Sequence, residues 1–203
     1  MTSGARRELL RVALATTLTS LGVRTAPAAD ADTRWTLPRM MEGFAAVTSA
    51  RTRFVERKFL HMLDRPLESS GTLAWDAPSR LEKLTLQPKR ERLLVERERV
   101  TVERGTPPKR RTLALGDIPL LRAFIESIRA TLAGDPDTLQ RFYEVALEGT
   151  AEHWTLVLRP SDSRTKSLVH EIRISGAHAT IATVEIEQAD GDRSVMTMVR
   201  DDP

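Results

Sequence analysis

The sequence predicts a mainly β protein: about eleven antiparallel strands in one sheet large enough to curl or close, with one helix before it and a helical insert to cap it. Three observations predict it. From Thr52 onward, short segments alternate charged and aliphatic residues, the pattern of strands that are wet on one face. One amphipathic stretch, residues 118–134, interrupts that series with helical spacing. Aromatic residues make up only 4% of the chain, too few to fill a wide interior, so helices are the natural plug for so large a sheet.

The chain opens on a segment with the features of an export signal. Arg6, Arg7 and Arg11 form a basic start, Val12 to Val23 is a short apolar run, and Ala26-Pro27-Ala28 supplies small residues at a cleavage position. Arg6-Arg7-Glu8-Leu9-Leu10-Arg11 also looks like a twin-arginine signal, and the general secretory route stays open beside it. The run is shorter than the roughly 20 apolar residues of a spanning helix. Residues 1–28 are therefore expected to be a signal peptide, and residues 29–203 a single exported, soluble domain. Residues 1–28 carry four arginines against Glu8, and the whole chain is formally +3, so the remainder is neutral. That removes the electrostatic case for nucleic acid. The absence of cysteine excludes disulfides, thiolate chemistry and a lipid anchor on an N-terminal cysteine.

Residues 37–47 place Met40, Met41, Phe44 and Val47 on one helical face, with Thr36 as N-cap and Pro38 in the first turn. Strand character follows in Arg53 to Met62, Gly71 to Trp75, Arg80 to Leu86, Glu91 to Val95, Arg99 to Val102 and Arg110 to Leu115. The insert places Leu121, Phe124, Ile125, Ile128 and Leu132 at helical spacing and ends at Gly134. Asp135-Pro136-Asp137 then opens a second, short helix near Thr138 to Arg141. Strands resume at Tyr143 to Leu147, His153 to Leu158, Leu168 to Ile174, Ile181 to Ile186 and Ser194 to Val199, joined by turns at Glu148-Gly149-Thr150, Ser175-Gly176-Ala177 and Ala189-Asp190-Gly191-Asp192.

From Thr52 to Val95 the chain resembles the periplasmic outer-membrane lipoprotein carrier (LolA) family. Arg53-Phe54-Val55-Glu56 resembles an aromatic strand start in which Gln is usual at the position of Glu56. Ser70-Gly71-Thr72-Leu73-Ala74-Trp75, with Pro78 and Arg80-Leu81, resembles the family's Gly-x-Leu strand and Pro-containing turn. Pro88, Glu91 and Leu93-Leu94-Val95 resemble its following strand. The resemblance implies an unclosed barrel with a helical lid over an apolar cavity, and carriage of acylated lipoproteins from an inner-membrane donor to an outer-membrane acceptor. Three departures point to a divergent branch. Ala77 stands where the family commonly has an Arg that helps keep the lid closed, Glu96-Arg97-Glu98-Arg99 replaces an Asp-Gly turn, and the C-terminal extension of the carrier proper is expected to be absent.

Alternation, together with the resemblance at Phe54 and Leu73, gives the expected cavity-facing strand residues. In the first half these are Phe54, Leu73, Trp75, Leu84 and Leu94; in the second half, Trp154, Leu156, Ile172, Ile186, Met196 and Met198. Leu121, Phe124, Ile125 and Ile128 form the expected underside of the lid. For each residue taken singly the alternative is plain core packing. The two methionines suit variable cargo, because thioether side chains repack easily.

The Lys89 to Arg111 region has nine basic and four acidic residues in alternation with Leu, Val and Thr, the pattern of a solvated strand face, with anionic lipid headgroups as the other reading. His61, His153, His170 and His178 lack metal-ligand spacing, and Asp190-Gly191-Asp192 lacks the rest of a calcium loop. The expectation is a periplasmic, monomeric, non-enzymatic carrier of an acyl lipid or lipoprotein, with no cofactor, no metal and no nucleic acid. A lipid- or lipoprotein-sensing module of the same fold is the alternative, and a lipid-modifying hydrolase a third.

Overall fold

A computed structural model describes residues 34–199; the expected signal segment, residues 1–28, lies outside the described residues. Helix α1 (Leu37–Ala45) leads into six strands: β1 (Ser49–Phe59), β2 (Leu67–Asp76), β3 (Arg80–Gln87), β4 (Glu91–Glu96), β5 (Arg99–Arg104) and β6 (Lys109–Ala114). A 3-10 turn at Leu115–Asp117 opens the insert, which comprises α2 (Pro119–Leu132) and α3 (Pro136–Phe142). Five strands follow: β7 (Tyr143–Gly149), β8 (Trp154–Pro160), β9 (Val169–Ala177), β10 (Thr180–Gln188) and β11 (Arg193–Val199). A one-turn helix, α4 (Ser163–Lys166), lies between β8 and β9.

All eleven strands form one antiparallel sheet in the order β6-β5-β4-β3-β2-β1-β11-β10-β9-β8-β7. The end strands β6 and β7 do not pair, so the sheet is curled without closing, as the family resemblance implies. The hub is β1, which pairs with β2 on one side and β11 on the other. It runs from Ser49 to Phe59 rather than from Arg53 to Met62, because Ser49 pairs with Asp76 and the chain turns after Phe59. At α4 one helical turn closes because the Asp162 carboxylate accepts from the Thr165 amide at 2.9 Å.

The helices fill one half of the concave face. Met40, Met41 and Phe44 of α1, Ile128 of α2 and Leu139 of α3 pack on Trp154, Leu156 and Leu158 of β8 and on Ile172 and Ile174 of β9. Their amphipathic spacing forms the helices, and burial of that face against the sheet holds them. Close approach of α2 to α1 depends on Gly134, in the left-handed region at φ +64°. A Cβ there would lie 2.2 Å from the Met41 carbonyl oxygen and 2.8 Å from the Ala45 Cβ. Asp135 caps α3, accepting from the Thr138 amide at 2.9 Å and its hydroxyl at 2.6 Å.

Two bonds tether α2. The Tyr143 hydroxyl donates to the Ala123 carbonyl at 2.5 Å, and burial raises the Tyr143 pKa. Arg129 Nη1 donates to the Arg97 carbonyl at 3.1 Å. Arg97 occupies the tight β4–β5 turn in the left-handed region at φ 54°, a conformation that a non-glycine residue adopts at some energetic cost. Ile125 adds apolar contact with Val95, Val100 and Leu115.

Candidate functional site: an apolar cavity with a charged end

Where the helices do not fill the concave face, a cavity of about 1150 Å³ remains between α2 and strands β1–β4, β10 and β11. Ligand pockets commonly measure roughly 300–1,000 Å³, so the space is ample for a long apolar chain. Leu73 and Trp75 of β2 line it, as do Ile186 of β10 and Met196 and Met198 of β11. Leu121, Phe124, Ile125 and Ile128 line it from α2. The structure thus brings these expected residues together around one space.

Four others share the concave face without reaching the cavity wall. Trp154, Leu156 and Ile172 are covered by α1–α3 and belong to the packed core. Phe54 is 1% exposed, lies opposite Gly71 and Met198, and has the Lys83 ammonium 4.9 Å from its ring centre. Leu84 and Leu94 require a correction: both are on the convex face. Trp75 pairs with Leu81 and Leu81 with Val95, so Leu81, Lys83, Leu93 and Val95 turn inward, while Leu84 and Leu94 turn out. Leu81-Glu82-Lys83-Leu84 and the Leu93-Leu94 doublet carry apolar residues at both parities, so alternation alone does not choose a face.

Sequence reasoning missed the inward charges. Glu56 is 5% exposed, on the same face of β1 as Phe54. Its Oε2 accepts from Lys83 Nζ at 2.5 Å and from the Ser69 hydroxyl at 3.1 Å. Its Oε1 accepts from the Ser194 hydroxyl at 2.9 Å, with Lys58 Nζ at 3.7 Å. The signal was present in the i, i+2 spacing of Phe54 and Glu56, which puts both on one face of a strand. Glu56, Lys58, Ser69, Lys83 and Ser194 all border the cavity.

Burial pushes the Glu56 carboxyl up, but the charge and hydrogen bond of Lys83, with Lys58 and Ser194, overcome this and hold it below its ordinary value of 4.5. Burial lowers the Lys83 ammonium, offset in part by Glu56. Because the folded-state value of Glu56 is depressed, its stabilisation is fully present above 4.5 and is lost as pH falls through the lowered value. Thermal melts from about pH 6 to about pH 3 should therefore show the stability advantage of wild type over Glu56→Gln shrinking in that acid window. A constant difference across the range would exclude an ionised Glu56 in the fold.

Residues 25–199 match the model of the family described as outer membrane lipoprotein carrier protein LolA-like. The chain belongs to the LolA-like family. Among solved structures, this LolA-like chain is similar to a LolA superfamily protein from Nitrosomonas europaea, at 10% identity and TM-score 0.45, over 83% of this chain and 96% of that one. It is also similar to a chain of the Pseudomonas aeruginosa MucA/MucB complex, at 15% identity and TM-score 0.41, over 80% of this chain and 53% of that one. A DUF1329 family protein from Desulfovibrio piger shares 9% identity at TM-score 0.36, over 81% and 89% of the two chains. No curated protein matches the chain in sequence. No described helix is long and apolar enough to cross a membrane.

Proposed function

We propose that this LolA-like protein is a periplasmic, non-enzymatic carrier that binds an acylated cargo in its cavity and moves it from the inner towards the outer membrane. The observation that carries this reading is the cavity itself: aliphatic and thioether side chains of β2, β10 and β11 on one side, and the apolar face of α2 on the other. Each buried methylene contributes about 0.8 kcal/mol, so a long acyl chain offsets several kcal/mol of lost freedom without a polar anchor. Family membership and the export features of residues 1–28 support the compartment.

Organic-solvent extraction of the purified protein, followed by mass spectrometry, tests the reading. Stoichiometric acyl lipid, or uptake of an acyl probe by an empty preparation, is the expected result; a protein that is empty and takes up no probe overturns it. Transfer separates carrier from sensor. A carrier gives up bound probe to acceptor vesicles, whereas a sensor retains it and changes its affinity for a membrane partner.

A further inference from the structure

We propose that the charged end of the cavity is a head-group subsite, and that the cargo is an acyl amphiphile ending in one anionic group, a carboxylate or a phosphate. This rests on the reading of the cavity as an acyl-chain site and adds the chemistry of the ligand's polar end.

The donors and acceptors decide the sign. Glu56 brings one carboxylate to the cavity wall, and both its oxygens are already engaged by Lys83, Ser69 and Ser194, with Lys58 alongside. With three of its roughly four lone-pair sites taken, that carboxylate offers a cationic head little. Donors remain in surplus: an ammonium has three N–H groups, and Lys83 has one hydrogen bond, to Glu56, among the described residues. Lys58, half exposed, stands on the other side of the same carboxylate. Lys89, also in the cavity wall, has no ion pair among the described residues. The other charged pairs at this end are balanced, Arg104 with Glu91 and Arg193 with Glu185.

Glu82, which also lines the cavity, is held by Arg80 and Arg92, so once Glu82 and Glu91 are paired, Lys58, Lys83 and Lys89 border the cavity with Glu56 as the remaining carboxylate. Lys58 and Lys89 are exposed and Lys83 is half-buried, so an anion arriving beside them meets ammonium charge that Glu56 alone does not balance. A carboxylate or phosphate accepts charge-assisted hydrogen bonds from them, while its chain runs toward Leu73, Phe124 and Met198.

The test uses the full chain loaded with diphenylhexatriene, a neutral apolar fluorophore, and displaced by hexadecanoate, hexadecyl phosphate, hexadecanol or hexadecylamine. At least one anion should displace the fluorophore about tenfold better than hexadecanol, and the amine should be the weakest. The preferred anion distinguishes a fatty-acid head from a phosphate head. In Lys58→Met/Lys89→Met the advantage of the anions over hexadecanol, measured on the same variant, should fall to about threefold or less. These rim lysines are used because Lys83→Met would strand the buried Glu56. If hexadecanol displaces the fluorophore as well as both anions do, or if the double variant keeps the full preference, the head-group subsite is wrong and the acyl cavity stands. If no compound displaces it and none binds, the cavity reading fails and this inference goes with it.

Discussion

Phe124→Glu should lower affinity for an acyl probe by about a hundredfold, while Leu84→Glu should leave it within about twofold. Phe124 lines the cavity from α2 and packs against both apolar clusters. A carboxylate there would stand in space that the acyl chain must occupy, and binding would remove its water. Burial of an unpaired charge costs several kcal/mol unless the group is neutralised by a proton, so the defect should be largest at alkaline pH. In the unliganded protein the same carboxylate borders open cavity, and the fold should persist by circular dichroism. Leu84 is the matched control: it lies on the convex face between Thr72 and Arg92, where a glutamate gains a cationic neighbour. Fluorescence titration of both variants is the measurement. Equal affinities would show that acyl chains do not enter between α2 and the sheet.

Trp154→Ala should cost about 3–5 kcal/mol of stability, roughly 10 °C in melting temperature, whereas Met198→Ala should cost about 2 kcal/mol or less. Trp154 is 2% exposed and stands edge-on to Phe44, with ring centres 5.8 Å apart at 83°. Its indole Nε1 donates to the His178 carbonyl at 2.9 Å. It also lies across Gly176, where a Cβ would come within 2.7 Å of its Cζ2. Truncation leaves a void in a packed region and strands an acceptor. Met198 faces space that is already open, so fewer contacts are lost. Urea titration of the two variants decides it: equal costs would mean that the helix-covered half is no better packed than the cavity half.

The strands and the insert were legible because alternation, helical spacing and turn residues are local properties that the sequence displays directly, whereas the unclosed sheet followed from the family resemblance. Leu121, Phe124, Ile125 and Ile128 were legible for the same reason, since one face of an amphipathic helix must meet the sheet. Leu84 and Leu94 were not, because strand pairing chooses between adjacent leucines and pairing is non-local. For Trp154, Leu156 and Ile172 the face could be read but the covering could not: which helix lies over which half of a sheet is settled by packing. Glu56 and Lys83 were hidden by the habit of sending charges outward, which fails when two opposite charges meet across strands β1–β3.

The central position of β1 has a consequence for how the molecule is made. Its partner β11 arrives from the far end of the domain, with Arg53 paired to Val199 and the Thr52 hydroxyl within 3.4 Å of the Val199 carbonyl across a separation of 147 residues. Until that strand docks, β1 presents a bare edge, and the Met196 and Met198 side of the cavity does not exist. Pairing at such a separation in sequence slows folding, and an unpaired strand edge is a template for aggregation. A ligand that fits the cavity would find it only in finished molecules, and would draw the folding equilibrium toward them by mass action.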